Sequence, residues 1–245
     1  MIDEIILSMN RRNFLKTVGK ATLVLGSAFY FPHLVVGSSN APHLEEYCFT
    51  ISPHKSVAMR AVDTTPEKFV RNTPGVEAAI NGLYYGLDNK NEGIAYLADN
   101  WHFATEKPAH TRGYFIVNRE GNNIDVTASL EGSLTDYFLV LGTHPLLVTE
   151  GKVHAQSLEG RYAGRTAYRS AIGTKTGKDI CFVVSTDEIL IKEWAERLRG
   201  TGYIGALNLD GGPLSQMAIR AEDGVVSVKG NGTEKTKLVI FSYTR

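Results

Sequence analysis

The 245-residue sequence holds only two cysteines, Cys48 and Cys181, too few for a disulfide framework and at a spacing that fits no zinc motif. It has no net charge either: lysine plus arginine number 26 and aspartate plus glutamate 26. No global field is therefore available to draw in nucleic acid or an anionic membrane, and any anion site must be local. The apolar run Ala21–Phe31 is 11 residues long, well short of the roughly 20 needed to span a bilayer. There is no Leu-x-Gly-Cys lipobox, no internal repeat and no low-complexity linker. Cys181 lies in "DICFVVS", where a buried thiol is the plain reading. A Cys48–Cys181 bridge would require close Cα atoms.

What is present at the N-terminus is more telling. In "MNRRNFLKTVGK", Arg11 and Arg12 precede Asn13, Phe14, Leu15 and Lys16, and "VVGSSNA" offers small residues for signal-peptidase cleavage near Gly37 or Ala41. The pattern resembles a twin-arginine export signal. The expected organisation is a leader over residues 1–40 and one folded domain over 41–245. The domain is expected to pass through the twin-arginine machinery to the periplasm, with no stable membrane insertion after cleavage. An uncleaved membrane anchor is the competing reading.

Within the domain, "YCFTISP" reads as a strand, and "TTPEKFVRN" as a short helix with Thr65 as N-cap and Pro66 in its first turn. The apolar run of "GVEAAINGLYYG" stops at Asn81-Gly82. "GYFIVNREGNNIDVTASL" reads as a hairpin turned at Gly121-Asn122-Asn123. "DYFLVLGTHPLLVTEGKVH" gives two strands with a break around Gly142–Pro145. The end of the chain predicts a strand in "ICFVV", a helix in "STDEILIKEWAERLRG" and a strand in "YIGALNL". Ser185 and Glu188 suit a capping box, Leu190, Trp194 and Leu198 recur at helical spacing, and Gly200 stops the helix. As a β-α-β unit its strands would be parallel neighbours, with Ser185 and Asp210 at their carboxyl ends, where ligands collect in open α/β sheets. The expected fold class is α+β, with mixed β-sheets and this C-terminal β-α-β unit.

Three stretches carry candidate chemistry. In "YIGALNLDGGPLSQM" a carboxylate, Asp210, ends an apolar strand beside Gly211 and Gly212, whose backbone a ligand can approach closely; an ordinary Asp-Gly turn is the plain reading. In "AAINGLYYG", Asn81 could present an amide to a sugar hydroxyl, with Tyr84 and Tyr85 offering aromatic surface. A turn with core aromatics is the alternative. In "RYAGRTAYRSAIGT" a planar guanidinium could grip a phosphate with two donors, although a solvated charged face is the preferred reading for Arg161 and Arg169.

Four stretches taken together, "AAINGLYY", "HPLLVTEGKV", "GRTAYRSAIG" and "ALNLDGGPLSQM", in this order and spacing, resemble the phosphodiester glycosidase family over roughly residues 70–245. The resemblance implies cleavage of the bond between a sugar's anomeric carbon and a phosphodiester. It points to Asp210, Arg165 and Asn81 as catalytic, and to Thr166, Asn208, Gly211, Gly212, Ser215 and Tyr84 as substrate-binding. The sequence departs from the family pattern at Leu83, where a small residue is usual, and at Pro213-Leu214, which replaces a small, hydroxyl-rich run.

Ordinary glycosidases use two carboxylates. A phosphate monoester, with its second pKa near 6, departs with little need of a proton, so one carboxylate can suffice. Asp210 would face the developing cation or act as nucleophile or base, Arg165 with Thr166 would hold the phosphate, and Asn81 with Asn208 would orient the sugar. His144 and Glu150 are the candidate acid/base partners. The expected partner is a glycan or sugar-phosphodiester substrate, with no nucleic acid and no cofactor. The alternative is a non-catalytic glycan-binding or envelope-assembly protein on the same fold, with Asp210 and Asn208 ligating a sugar or a divalent cation. The departures at Leu83 and Pro213 favour that alternative.

Overall fold

A computed structural model describes residues 44–83, 94–97, 101–104, 113–154 and 163–244. The leader, Tyr84, Tyr85 and Arg161 lie outside the described residues. The strands run in chain order β1 (Leu44–Thr50), β2 (Lys55–Thr64), β3 (Val76–Asn81), β4 (Ile94–Leu97), β5 (Trp101–Ala104), β6 (Gly113–Asn118), β7 (Ile124–Thr127) and β8 (Tyr137–Thr143). They continue with β9 (Leu146–Thr149), β10 (Lys152–Val153), β11 (Ser170–Thr174), β12 (Asp179–Ser185), β13 (Gly205–Asn208), β14 (Gln216–Arg220), β15 (Val226–Gly230) and β16 (Thr236–Thr244). Two α-helices are described, α1 (Pro66–Asn72) and α2 (Ile191–Gly200). Among the described residues, no helix is long and apolar enough to cross a membrane.

The strands form three sheets, ordered β1-β12-β11-β13-β9-β10, β15-β14-β3-β16-β2 and β5-β4-β8-β6-β7. The fold is mostly β with two helices, in keeping with the α+β expectation. Mixed sheets were expected, but every strand pairing described is antiparallel. The β-α-β expectation is corrected with it. β12 and β13 run in the same sense but are not neighbours, because β11 lies between them and pairs antiparallel with both. Their carboxyl ends still lie on one side of the sheet.

Side-chain alternation builds the layers. Ile180, Phe182 and Val184 of β12 point into a central core shared by all three sheets, together with Ile80, Phe115, Leu141, Leu207 and Ile240. The intervening Cys181 and Val183 face α2, whose Ile191, Trp194, Ala195 and Leu198 form the buried stripe at helical spacing. Similarly, α1 covers the outer face of the second sheet, with Phe69 and Val70 against Ala79, Val239 and Phe241. Thr65 caps α1 as its sequence predicts, accepting from the Lys68 amide at 3.3 Å. The capping box expected at Ser185 is absent. Ser185 ends β12, its hydroxyl accepts from the Arg169 amide, and α2 starts six residues later at Ile191 without a side-chain cap.

Among the described residues, edge strand β1 pairs with β12 alone, in a register that sets Cys48 directly opposite Cys181 with Cα atoms 4.1 Å apart. The two form a disulfide, where the sequence reading preferred a buried thiol. Farther along β12, Asp179 closes the 174–179 turn, accepting from Thr174 Oγ1 at 2.9 Å and from the Thr176 amide at 2.8 Å. Burial pushes this carboxyl's pKa up, but the hydrogen bonds from Thr176 and Thr174 outweigh it and hold it below the ordinary 3.8. A folded pKa below the unfolded one gives stability that is present above about pH 4 and lost as pH falls through the lowered value. We expect Asp179→Asn to be less stable than wild type near about pH 6, with the gap closing below about pH 4. Thermal melts across that range test this, and a gap constant with pH would refute it.

Candidate active site

β13 ends at Asn208, and the chain leaves the sheet through Leu209 and Asp210. Asp210 is half-buried, and its main chain is pinned on both sides. Its amide donates to the Gly82 carbonyl at 3.0 Å, and its carbonyl accepts from Asn81 Nδ2 at 2.7 Å. One of its carboxylate oxygens accepts from the Gly211 amide at 2.8 Å.

Asn81 is the hub of this arrangement. It ends β3 with no exposed surface, and its Oδ1 accepts from Ser170 Oγ at 2.7 Å and from the Gln216 amide at 3.2 Å. One amide thus joins the end of β3, the starts of β11 and β14, and the Asp210 main chain. Gly82 must lack a side chain for the strands to close here, since a Cβ would come within 2.8 Å of the Leu238 side chain. Neighbouring Leu83 is 1% exposed and packs into the central core.

Gly211 and Gly212 lie against the segment that carries the basic residues. The Gly212 amide donates to the Tyr168 carbonyl at 2.8 Å, and a Cβ on Gly211 would stand 2.9 Å from that same oxygen. Gly211→Ala should therefore force the two segments apart at the site. We expect a loss of about 1–3 kcal/mol, the usual cost of overpacking, read by urea denaturation. A variant as stable as wild type would show that the contact yields freely. Ser215 Oγ, with no exposed surface and no hydrogen-bond partner among the described residues, lies 3.9 Å from that Gly211 Cβ position.

Arg165 and Thr166 are exposed on the segment that reaches Gly212 through Tyr168. The structure thus brings together the Asp210–Gly212 chain, Ser215 and the segment of Arg165 and Thr166, with Asn81 beneath them. Asn208 is fully buried behind Asp210, its amide nitrogen donating to the Leu209 carbonyl at 2.7 Å and its backbone amide to the Pro145 carbonyl at 3.1 Å. His144 directly precedes Pro145, so that bond puts it at the same end of β13 as Asp210. Glu150 does not. It is exposed in the β9–β10 turn, where the Gly151 amide bonds to the Ile204 carbonyl, at the opposite end of β13. Ile204 and Asp210 are six positions apart, roughly 20 Å of extended chain, so Glu150 is no acid/base partner for that carboxylate.

The preferred reading of Arg169 as a solvated charge is also corrected. Arg169 is 5% exposed, with Nη2 donating to the Arg165 carbonyl at 2.6 Å and Nε to the Ile189 carbonyl at 3.2 Å. Ser170 and Gln216, too, went unmarked in the sequence. The one available signal was position: Arg169 immediately precedes, and Ser170 opens, a strand, Ser170–Thr174, that is buried throughout.

Residues 74–239 match the family model described as phosphodiester glycosidase. Among solved structures, the chain is similar to the catalytic domain of zebrafish N-acetylglucosamine-1-phosphodiester alpha-N-acetylglucosaminidase, auto-inhibited by its pro-peptide. The TM-score is 0.60 at 14% identity, covering 85% of this chain and 86% of that one. A hypothetical protein from Synechocystis matches with a TM-score of 0.51 and 14% identity, over 82% of this chain and 59% of that one. At such identities the likeness speaks for the fold. Among curated proteins, none matches the sequence.

Proposed function

This chain belongs to the phosphodiester glycosidase family, and from that premise we propose that it is an exported hydrolase cleaving the bond between a sugar's anomeric carbon and a phosphodiester. Water adds its oxygen to the anomeric carbon, and the bond from that carbon to the bridging oxygen breaks. The sugar leaves with a free hydroxyl, and the bridging oxygen stays with a phosphomonoester. The observation that carries the reading is the pinned Asp210. It is a half-buried carboxylate at a strand end, its main chain fixed from both sides, and the next residue but one, Gly212, bonds to Tyr168 of the segment that carries Arg165 and Thr166.

In this reading Asp210 faces the positive charge that develops at the anomeric carbon, as nucleophile, base or electrostatic partner. Arg165 and Thr166 hold the phosphate, whose low second pKa lets it leave without a strong acid. Asn81 and Asn208 are buried, with amide groups bonded to protein, which supports giving them the task of fixing the Asp210 chain in place of direct sugar contact. The substrate is a glycan or sugar phosphodiester. The export assignment rests on the twin-arginine pattern and is supported by the Cys48–Cys181 bridge, since disulfides persist in oxidising compartments.

The name of the zebrafish relative makes an N-acetylhexosamine 1-phosphodiester the first probe. The test incubates the mature domain with a panel of sugar 1-phosphodiesters and follows release of reducing sugar. Release of sugar and phosphomonoester in equal amounts supports the proposal. Binding without turnover across the panel would replace it with the glycan-binding alternative.

A further inference from the structure

We infer that Arg169 is the positioning residue of the phosphate-facing segment: it does not touch the substrate but fixes the course of residues 165–168 against Gly211 and Gly212. The inference rests on the proposed function for what the segment holds, and on geometry alone for how it is held.

Arg169 is almost wholly buried, and charge is retained at such a depth only where donors find acceptors. Two main-chain carbonyls accept from its side chain. Nη2 reaches back to the carbonyl of Arg165 at 2.6 Å, four residues earlier, and Nε reaches the carbonyl of Ile189 at 3.2 Å. Its own backbone is clamped to the end of β12, with its amide on Ser185 Oγ at 2.8 Å and its carbonyl accepting from the Ser185 amide at 2.9 Å. The side chain then passes under the site: Arg169 Cδ is 4.0 Å from where a Cβ of Gly211 would stand. Between these anchors the segment is irregular, held by the bridge between Ala167 and Ile189 and by the bond from Gly212 to the Tyr168 carbonyl.

A guanidinium suits this task because its donors are fixed in one plane and reach two carbonyls at once. An ammonium keeps the charge but not the fork. Arg169 thus determines where the Arg165 backbone lies, and so where the exposed Arg165 and Thr166 side chains start from.

The test is Arg169→Lys, compared with wild type by hydrogen exchange and kinetics. Amide protection should fall at least tenfold at Ala167 and Gly212 while the amides of β3 and β16 keep theirs. KM for a sugar 1-phosphodiester should rise about tenfold with kcat changed less than threefold, the pattern of lost ground-state holding. Unchanged protection at Ala167 and Gly212 would overturn the inference, as would a loss spread evenly over the three sheets with KM unaltered, the mark of a merely structural residue. If wild type turns over no phosphodiester, the proposed function fails and the exchange comparison still decides this point. Should the variant not fold, the wild-type Arg169 Nε–H resonance serves instead. Slow solvent exchange of that proton supports the anchoring, and fast exchange refutes it.

Discussion

Asp210→Asn is expected to lower kcat by about two to four orders of magnitude, roughly 3–5 kcal/mol of transition-state stabilisation, with KM within about threefold of wild type. The expectation follows from which parts of Asp210 do what. Its ties to Gly82 and Asn81 are main-chain bonds and survive the change, and an asparagine oxygen can still accept from the Gly211 amide. The main-chain ties and the bond to Gly211 are therefore kept. The negative charge disappears, and in the proposed mechanism that charge opposes the cation developing at the anomeric carbon. A substrate in its ground state carries no such charge, which is why KM is spared. Steady-state kinetics on a hydrolysed sugar 1-phosphodiester decide the matter. Turnover by the variant within about threefold of wild type would take Asp210 out of the chemistry.

The second large effect concerns stability. Breaking the Cys48–Cys181 bridge should cost about 3–5 kcal/mol, because the bond closes a span of 133 residues and long loops lose the most entropy when joined in the unfolded chain. For a domain of this size that is a fall of roughly 6–20 °C in melting temperature. Cys48→Ser is the cleaner variant, since Cys48 is exposed on an edge strand whereas Cys181 is buried under α2. Calorimetry of the variant beside wild type, with and without reductant, tests it. Reductant should move the wild type toward the variant and leave the variant unchanged. A wild type indifferent to reduction would mean that packing alone holds β1 in place.

What could be read from the sequence was local, and what could not was a matter of partners. Thr65 and Pro66 announce α1 because a cap and its helix lie within four residues of each other. The hairpin at Gly121–Asn123 declares itself for the same reason, Gly121 taking the left-handed conformation there. Asp210 was legible as a carboxylate at a strand end beside two glycines. The insertion of β11 between β12 and β13 was not, because no residue in an apolar strand names its neighbour. Nor was the burial of Arg169: it donates to the carbonyls of Arg165 and Ile189, and only the folded chain brings the second of these within reach. Ser185 matched a capping pattern by spacing, yet the Arg169 amide claims its hydroxyl first. Asn81 was legible as the end of an apolar run. That its amide is spent on Asp210, Ser170 and Gln216 follows from chain segments 89 to 135 residues away meeting at one side chain.

The bridge between β1 and β12 also limits how far the molecule can be drawn out. From Leu44 to Thr244 the polypeptide has a contour length on the order of 700 Å at about 3.5 Å per residue. The Cys48–Cys181 bond short-circuits 133 of those residues, some 470 Å at the same spacing. A load applied between Leu44 and Thr244 therefore passes from β1 directly into β12, and between those two residues only the stretch before Cys48 and the stretch after Cys181, with α2 and the Asp210 strand, can be extended. All of β2 to β11, including Asn81, lies inside a closed ring that tension cannot open.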